Sequence, residues 1–248
     1  DYAMVKTIFS FLNKEITGLH EAAYLLGFSA ILSQILALVR DRLLDSSFGA
    51  GHTLDIYYAA FRIPDLIFVS IGSIVSISVL VPFLIEKINK SHEEGKNFID
   101  SAFSLFFILI IIMSVLAYIL IPYLAPKVFP GFTDGKTLTS FIILTRILLL
   151  SPILLGISNF LASITQVHNR FFIYAISPLL YNIGIILGII FLYPHFGLMG
   201  LGYGVVLGAC MHLLIQVPFV VSKKMFPRFS FNVDFASIRK VMTLSLPR

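Results

Sequence analysis

Six long apolar runs separated by short polar breaks organise the chain. The first covers about Ala22 to Val39, 18 uncharged residues, and closes on Arg40-Asp41-Arg42. The second extends from Asp55 to Ile85, with Arg62 and Asp65 flanking Pro64 before 20 uncharged residues. The third lies between Asp100 and Lys127, 26 residues without a formal charge. The fourth, about Leu138 to Gln166, carries Arg146 in its first third and Pro152 as an expected kink. The fifth follows Arg170 and ends near Tyr193, and the sixth covers about Leu198 to Val221. Each run meets the roughly 20 residues a helix needs to cross the hydrocarbon core. The pattern predicts an all-α integral membrane protein with a lobe of six transmembrane helices over residues 22–221.

The breaks carry turn chemistry. Gly49 and Gly51 in Ser46-Ser47-Phe48-Gly49-Ala50-Gly51 permit tight backbone geometry, and Pro130 to Gly135 form a turn cluster. Gly200, Gly202, Gly204 and Gly208 predict close helix packing in the sixth run. Before the first run, Val5, Ile8, Phe9, Leu12 and Ile16 fall on one helical face, so residues 4–21 read as an amphipathic segment on the membrane surface or a plain pre-membrane extension. Asp1, Tyr2 and Ala3 precede Met4, the expected natural start, and read as a reading-frame or expression remnant. Residues 222–248 read as a basic linker (Lys223, Lys224, Arg228, Arg239, Lys240). Within it, Asp234 caps a short amphipathic helix from Phe235 to Met242, and Leu244 to Arg248 begin a seventh span. A chain stopping there reads as a fragment.

Composition agrees with the membrane class: 58% of the 248 residues are hydrophobic and 12% charged, against about a quarter charged in soluble domains. The net charge of +5 does not signal nucleic acid, because the cations sit in short loops rather than on a basic, aromatic-interleaved face. Eleven Lys and Arg (Lys6, Lys14, Lys87, Lys90, Lys96, Arg170, Lys223, Lys224, Arg228, Arg239, Lys240) fall on one side of the membrane, and four (Arg40, Arg42, Lys127, Lys136) on the other. The richer side is expected to be cytoplasmic, which puts both ends of the segment there. Cys210 has no partner for a disulfide or metal, and the six histidines are scattered. No phosphate loop, carboxylate pair or metal cluster is present, so neither a catalytic centre nor a cofactor is expected.

The informative residues are charges at membrane depth, where an arginine costs about 2.5–3.5 kcal/mol on insertion scales. Arg40, Arg62 and Arg146, with Arg42 beside them, are candidates to line a water-filled cavity for an anionic substrate. Guanidinium suits phosphate because it offers paired donors and stays charged. Asp41, Asp55 and Asp65 would orient the arginines or lower their repulsion. The competing reading makes Arg40 and Arg42 interfacial markers of a helix end, and Arg62 with Asp65 a structural i,i+3 ion pair.

Arg40-Asp41, Phe48-Gly49-Ala50-Gly51, Asp55 and Ala59-Ala60-Phe61-Arg62-Ile63-Pro64-Asp65 occur in order. Val81-Pro82, Leu144-Thr145-Arg146-Ile147, Asn169-Arg170-Phe171-Phe172, Ser177-Pro178-Leu179-Leu180-Tyr181-Asn182 and Leu246-Pro247-Arg248 follow. From Met4 to Arg248 this series resembles the MurJ/MviN family of bacterial lipid II flippases. The resemblance implies an exporter fold of two six-span lobes, of which this chain is the N-terminal one. It also implies alternating-access transfer of an undecaprenyl-pyrophosphate-linked peptidoglycan precursor, lipid II, across the inner membrane for cell-wall synthesis. Arg40 matches a cavity arginine of that family, and Asp41 and Asp55 match its acidic positions. Two departures stand out. Gln34 occupies a position where the family often has arginine. The stretch Phe68-Val69-Ser70-Ile71-Gly72-Ser73 is uncharged where an Arg-Arg and a Glu are common. An exporter of another lipid-linked polysaccharide, a drug exporter, and a non-transporting half-protein scaffold are the alternatives. The weakly basic within-span charge disfavours the drug exporter.

Overall fold

The computed structural model describes residues 15, 18–49, 51–74, 77–132 and 134–230. The expectations for residues 1–3, for most of the 4–21 segment, for the Asp234-capped helix and for the seventh span lie outside these residues. Every regular element described is helical. Helix α1, Leu19–Phe48, runs 30 residues to Gly49, whose φ of 62° turns the chain while its N–H donates to Asp45 O at 2.8 Å. Helix α2, His52–Ile74, starts as the N–H of Leu54 donates to Gly51 O at 3.0 Å. It is followed by α3, Ile77–Lys90. Helix α4, His92–Val128, is capped by Ser91, whose Oγ accepts the Glu94 N–H at 3.0 Å, and carries Glu93 and Glu94 at its positive end and Lys127 at its negative end.

Helix α5, Gly135–Leu148, is capped by Asp134, and α6, Leu150–Val167, continues it after a break at Leu149. The break falls one turn before Pro152, whose missing amide leaves the Leu148 carbonyl without its helical donor. Helix α7, Phe171–Leu187, passes through a π-turn at Gly188–Leu192 into the one-turn α8, Tyr193–Phe196. Helices α9, Leu198–Leu214, and α10, Val217–Ser222, complete the lobe.

One boundary departs from the sequence expectation. Five stretches among the described residues are long and apolar enough to cross a membrane unbroken: His20–Phe48, His92–Val128, Gly135–Val167, Phe171–Phe196 and Leu198–Ser222. The remaining run, expected from Asp55 to Ile85, carries α2 and α3, and residues 75 and 76 between them lie outside the described residues. Arg40, Asp41 and Arg42 do not close the first helix. They lie inside α1, two turns before its end, because nothing breaks the helix until Gly49.

Helix α1 lies along α7, α7 packs on α9, and α9 leans on α5 and α6; α2 rests on α5, and α3 on α4 and α6. The α7–α9 contact is glycine against glycine. A Cβ on Gly184 would strike the backbone of Gly208, and one on Gly188 would strike Gly204. Two apolar cores form. One gathers Leu84, Phe98, Phe106, Phe160 and Phe219 towards the end of the lobe that bears the lysine-rich loops. The other gathers Leu44, Tyr57, Phe141, Leu144 and Val205 towards the opposite end, where Arg40 lies. The protein is a multi-pass, all-α membrane protein.

Candidate functional site

Arg40 projects from α1 where that helix passes α7 and the first turns of α2. Its Nε donates to Asp41 Oδ1 at 2.8 Å and a terminal nitrogen reaches the same oxygen at 2.8 Å. The other terminal nitrogen donates to Oδ1 of Asn182, on α7, at 3.1 Å. Asn182 is itself buried. Its Nδ2 donates to Ser33 Oγ at 3.2 Å, to Ser33 O at 3.4 Å and to Pro178 O at 3.2 Å, so it ties α7 to α1 while orienting the guanidinium. Three of the five donors of Arg40 are engaged, which leaves two for a ligand.

These groups open on a cavity of about 330 Å³. Arg40, Asp41, Tyr57, Tyr58, Asp65 and Tyr181 supply its polar lining, and Leu44, Phe61 and Ile185 its apolar wall. The Arg40 side chain is 25% exposed and that of Asp41 44%. The cation is therefore held away from bulk water without being sealed off, and an anion reaching it is bound in a medium where charge-assisted hydrogen bonds are strong.

The other candidates divide among separate places. Arg62 and Asp55 line a neighbouring cavity of about 460 Å³ with Ala59, Val128 and Phe129, and Tyr58 is shared by both cavities. Asp65 faces the Arg40 cavity instead, and no ion pair joins it to Arg62 among the described residues. Pro64, between them, is buried inside α2. Arg146 sits in a third concavity of about 510 Å³ between α4 and α5. There its guanidinium lies 4.3 Å from the centre of the Tyr118 ring and its Nε donates to Tyr118 O at 3.2 Å. Arg42 is exposed on α1 and lines none of these cavities. Gly49 ends α1, and the Gly51 carbonyl starts α2, accepting from Leu54 and Asp55. At the same end of the lobe His52 Nε2 lies 2.6 Å from Thr137 Oγ1, joining the start of α2 to that of α5.

Asn182, Tyr57, Tyr58 and Tyr181 were not among the expected site residues. An asparagine inside an apolar run was the available signal for the first, since polar groups at membrane depth need partners.

Known proteins share the fold of this lobe. The probable lipid II flippase MurJ of Buchnera aphidicola subsp. Acyrthosiphon pisum is 29% identical over 208 residues, covering 82% of this chain and 41% of that protein. Lipid II flippase MurJ of Burkholderia cenocepacia is 25% identical over 225 residues, 88% of this chain and 44% of that one. A solved structure of lipid II flippase MurJ in an inward closed conformation superposes with a TM-score of 0.70 at 25% identity, over 90% of this chain and 46% of that one. The chain thus spans a little under half the length of the relatives it matches. The family model described as lipid II flippase MurJ matches residues 44–248, from the last turn of α1 onward, and the chain belongs to that family.

Proposed function

We propose that this lobe forms one wall of a cavity that carries lipid II, an undecaprenyl-pyrophosphate-linked peptidoglycan precursor, across the bacterial inner membrane by alternating access. The observation that carries this reading is Arg40, a guanidinium inside a transmembrane helix, held by Asp41 and Asn182 at the wall of a cavity with donors to spare. A diphosphate is the ligand class that repays the cost of keeping that cation at membrane depth. Asp41, bonded to the arginine, limits its pull so that substrate bound on one side is released on the other, and Asp65 lines the same cavity. Arg62 and Asp55, one cavity away through Tyr58, form a secondary contact. Arg146 and Arg42 contribute to packing and interface rather than to the substrate. A second lobe supplies the opposite wall. The protein acts as a transporter rather than an enzyme, with the end carrying Lys87, Lys96, Arg170 and Lys223 in the cytoplasm.

The test is complementation of flippase-depleted bacteria with the full-length reading frame, beside lipid II binding by the purified protein. Growth that is rescued by the parent chain and lost in Arg40→Ala, with lipid II affinity reduced in step, is the expected result. Equal rescue and equal affinity for the two removes Arg40 from the substrate site. The uncharged Gln34 and the uncharged stretch from Phe68 to Ser73 favour a second reading, a different sugar on the same kind of lipid diphosphate. Competition between lipid II and other polyprenyl-diphosphate sugars separates the two.

A further inference from the structure

A fourth concavity, about 480 Å³, lies along the seam between α1 and α7. Ser29, Ser33 and Gln34 line it from α1, and Tyr174 and Pro178 from α7. No lining residue is charged. The side chains of Gln34 and Tyr174 have no hydrogen-bond partner among the described residues, so an amide and a phenol face one groove with their capacity unspent. The groove is wired to the arginine cavity: Ser33 is bonded through Asn182, which accepts from Arg40. Gln34 precedes Arg40 by six residues, about 9 Å along the helix.

We propose that this groove is a second substrate subsite, which takes the hydroxyl- and amide-bearing sugar portion of a lipid-linked diphosphate whose phosphates engage Arg40. The inference rests on the proposed diphosphate reading of Arg40. Three occupants compete for such a groove, and its chemistry separates them. A phosphate would find no cation there. A polyprenyl chain would leave the amide of Gln34 and the hydroxyl of Tyr174 unpaired against hydrocarbon, a cost of roughly 1–3 kcal/mol for each by mutational measures. A sugar satisfies both with its own hydroxyl and acetamido groups and lays an apolar ring face against Ala30, Ala175 and Pro178.

The experiment uses the full-length protein in nanodiscs and two probes, a polyprenyl diphosphate bearing its sugar and the same polyprenyl diphosphate without it. Three variants are compared with the parent: Gln34→Leu, the double variant Gln34→Leu with Tyr174→Phe, and Arg40→Gln. Gln34 is exposed in the lobe, so its single variant leaves packing intact and serves if the double variant fails to fold. The expected result is about tenfold weaker binding of the sugar-bearing probe by the double variant, a smaller loss in the single one, and no change for the sugarless probe. Arg40→Gln should weaken both probes. Unchanged binding of the sugar-bearing probe by the groove variants, or equal weakening of both probes, overturns the subsite and leaves the Arg40 reading standing. A protein that binds neither probe, or whose Arg40→Gln variant binds both as tightly as the parent, overturns the Arg40 reading and the subsite with it.

Discussion

Asn182 holds Arg40 from across the lobe: its Oδ1, on α7, accepts from the arginine at 3.1 Å although the two residues are 142 apart in sequence. The same side chain donates to Ser33 and Pro178, so one buried amide fixes both the seam between α1 and α7 and the direction of the guanidinium. Asn182→Ala removes a hydrogen bond to a charged group, worth about 1.5–3 kcal/mol, and lets Arg40 fold onto Asp41. Affinity of the full-length protein for a polyprenyl-diphosphate sugar should fall by roughly ten- to a hundredfold. Asn182→Asp should do as much without loss of volume, because a second carboxylate competes with the ligand for the arginine. Calorimetric titration of both variants is the check, and parent-like affinity in the aspartate variant would show that Asn182 matters only for packing.

The glycines of the lobe should respond to alanine in opposite directions. At Gly204 a Cβ would approach the Cα of Gly188 to 2.6 Å, backbone against backbone, so α7 and α9 must separate. Gly204→Ala should cost at least the roughly 1–3 kcal/mol typical of overpacking. Gly27 lies inside α1, and a methyl group added there would meet nothing within 4 Å. Gly27→Ala should stabilise the lobe by about 0.5–1 kcal/mol, by removing backbone freedom from the unfolded chain. Thermal unfolding of the two variants in the same detergent gives the signs directly.

Crossing lengths were legible because hydrophobicity over some 20 residues decides them. Helix ends were less so. Arg40 to Arg42 looked like a terminus because charge usually marks the interface, yet arginine is a good helix former and the breaker, Gly49, lies further on. Charge along a span reveals depth and not direction around the helix, which is why Arg40 and Arg146, similar in sequence, face different concavities. The Asn182 contact could not be read at all: a polar residue in an apolar run announces that it needs a partner and not which one.

Arg146 and Tyr118 should behave as one unit. The guanidinium stacks at 4.3 Å from the ring centre and donates to the Tyr118 carbonyl. A double-mutant cycle with Tyr118→Leu and Arg146→Gln should show a coupling of about 0.5–2 kcal/mol in stability, with affinity for the lipid diphosphate unchanged in the single variants. A loss of affinity in Arg146→Gln as large as that in Arg40→Gln would instead bring Arg146 into the substrate path.

His168 gives the lobe a dependence on pH. It follows the last turn of α6, and burial holds its pKa below the usual histidine value, reinforced by the neighbouring Lys223, Arg170 and His92, while a hydrogen bond to the Ile164 carbonyl opposes the shift. Its ring also meets Phe219 edge-on, 5.8 Å between centres, at the foot of the core beside Arg170 and Lys223. The folded lobe therefore prefers the neutral ring. As pH falls through about 6.5, the ordinary histidine value, the unfolded chain takes up the proton first and stability declines, levelling off only below the depressed folded value. His168→Gln removes the titrating group and keeps a side chain able to donate to Ile164. Its melting temperature should fall less than that of the parent between pH 7.5 and 5 (values chosen to bracket about 6.5). Parallel pH profiles for the two proteins would assign the acid sensitivity to other groups.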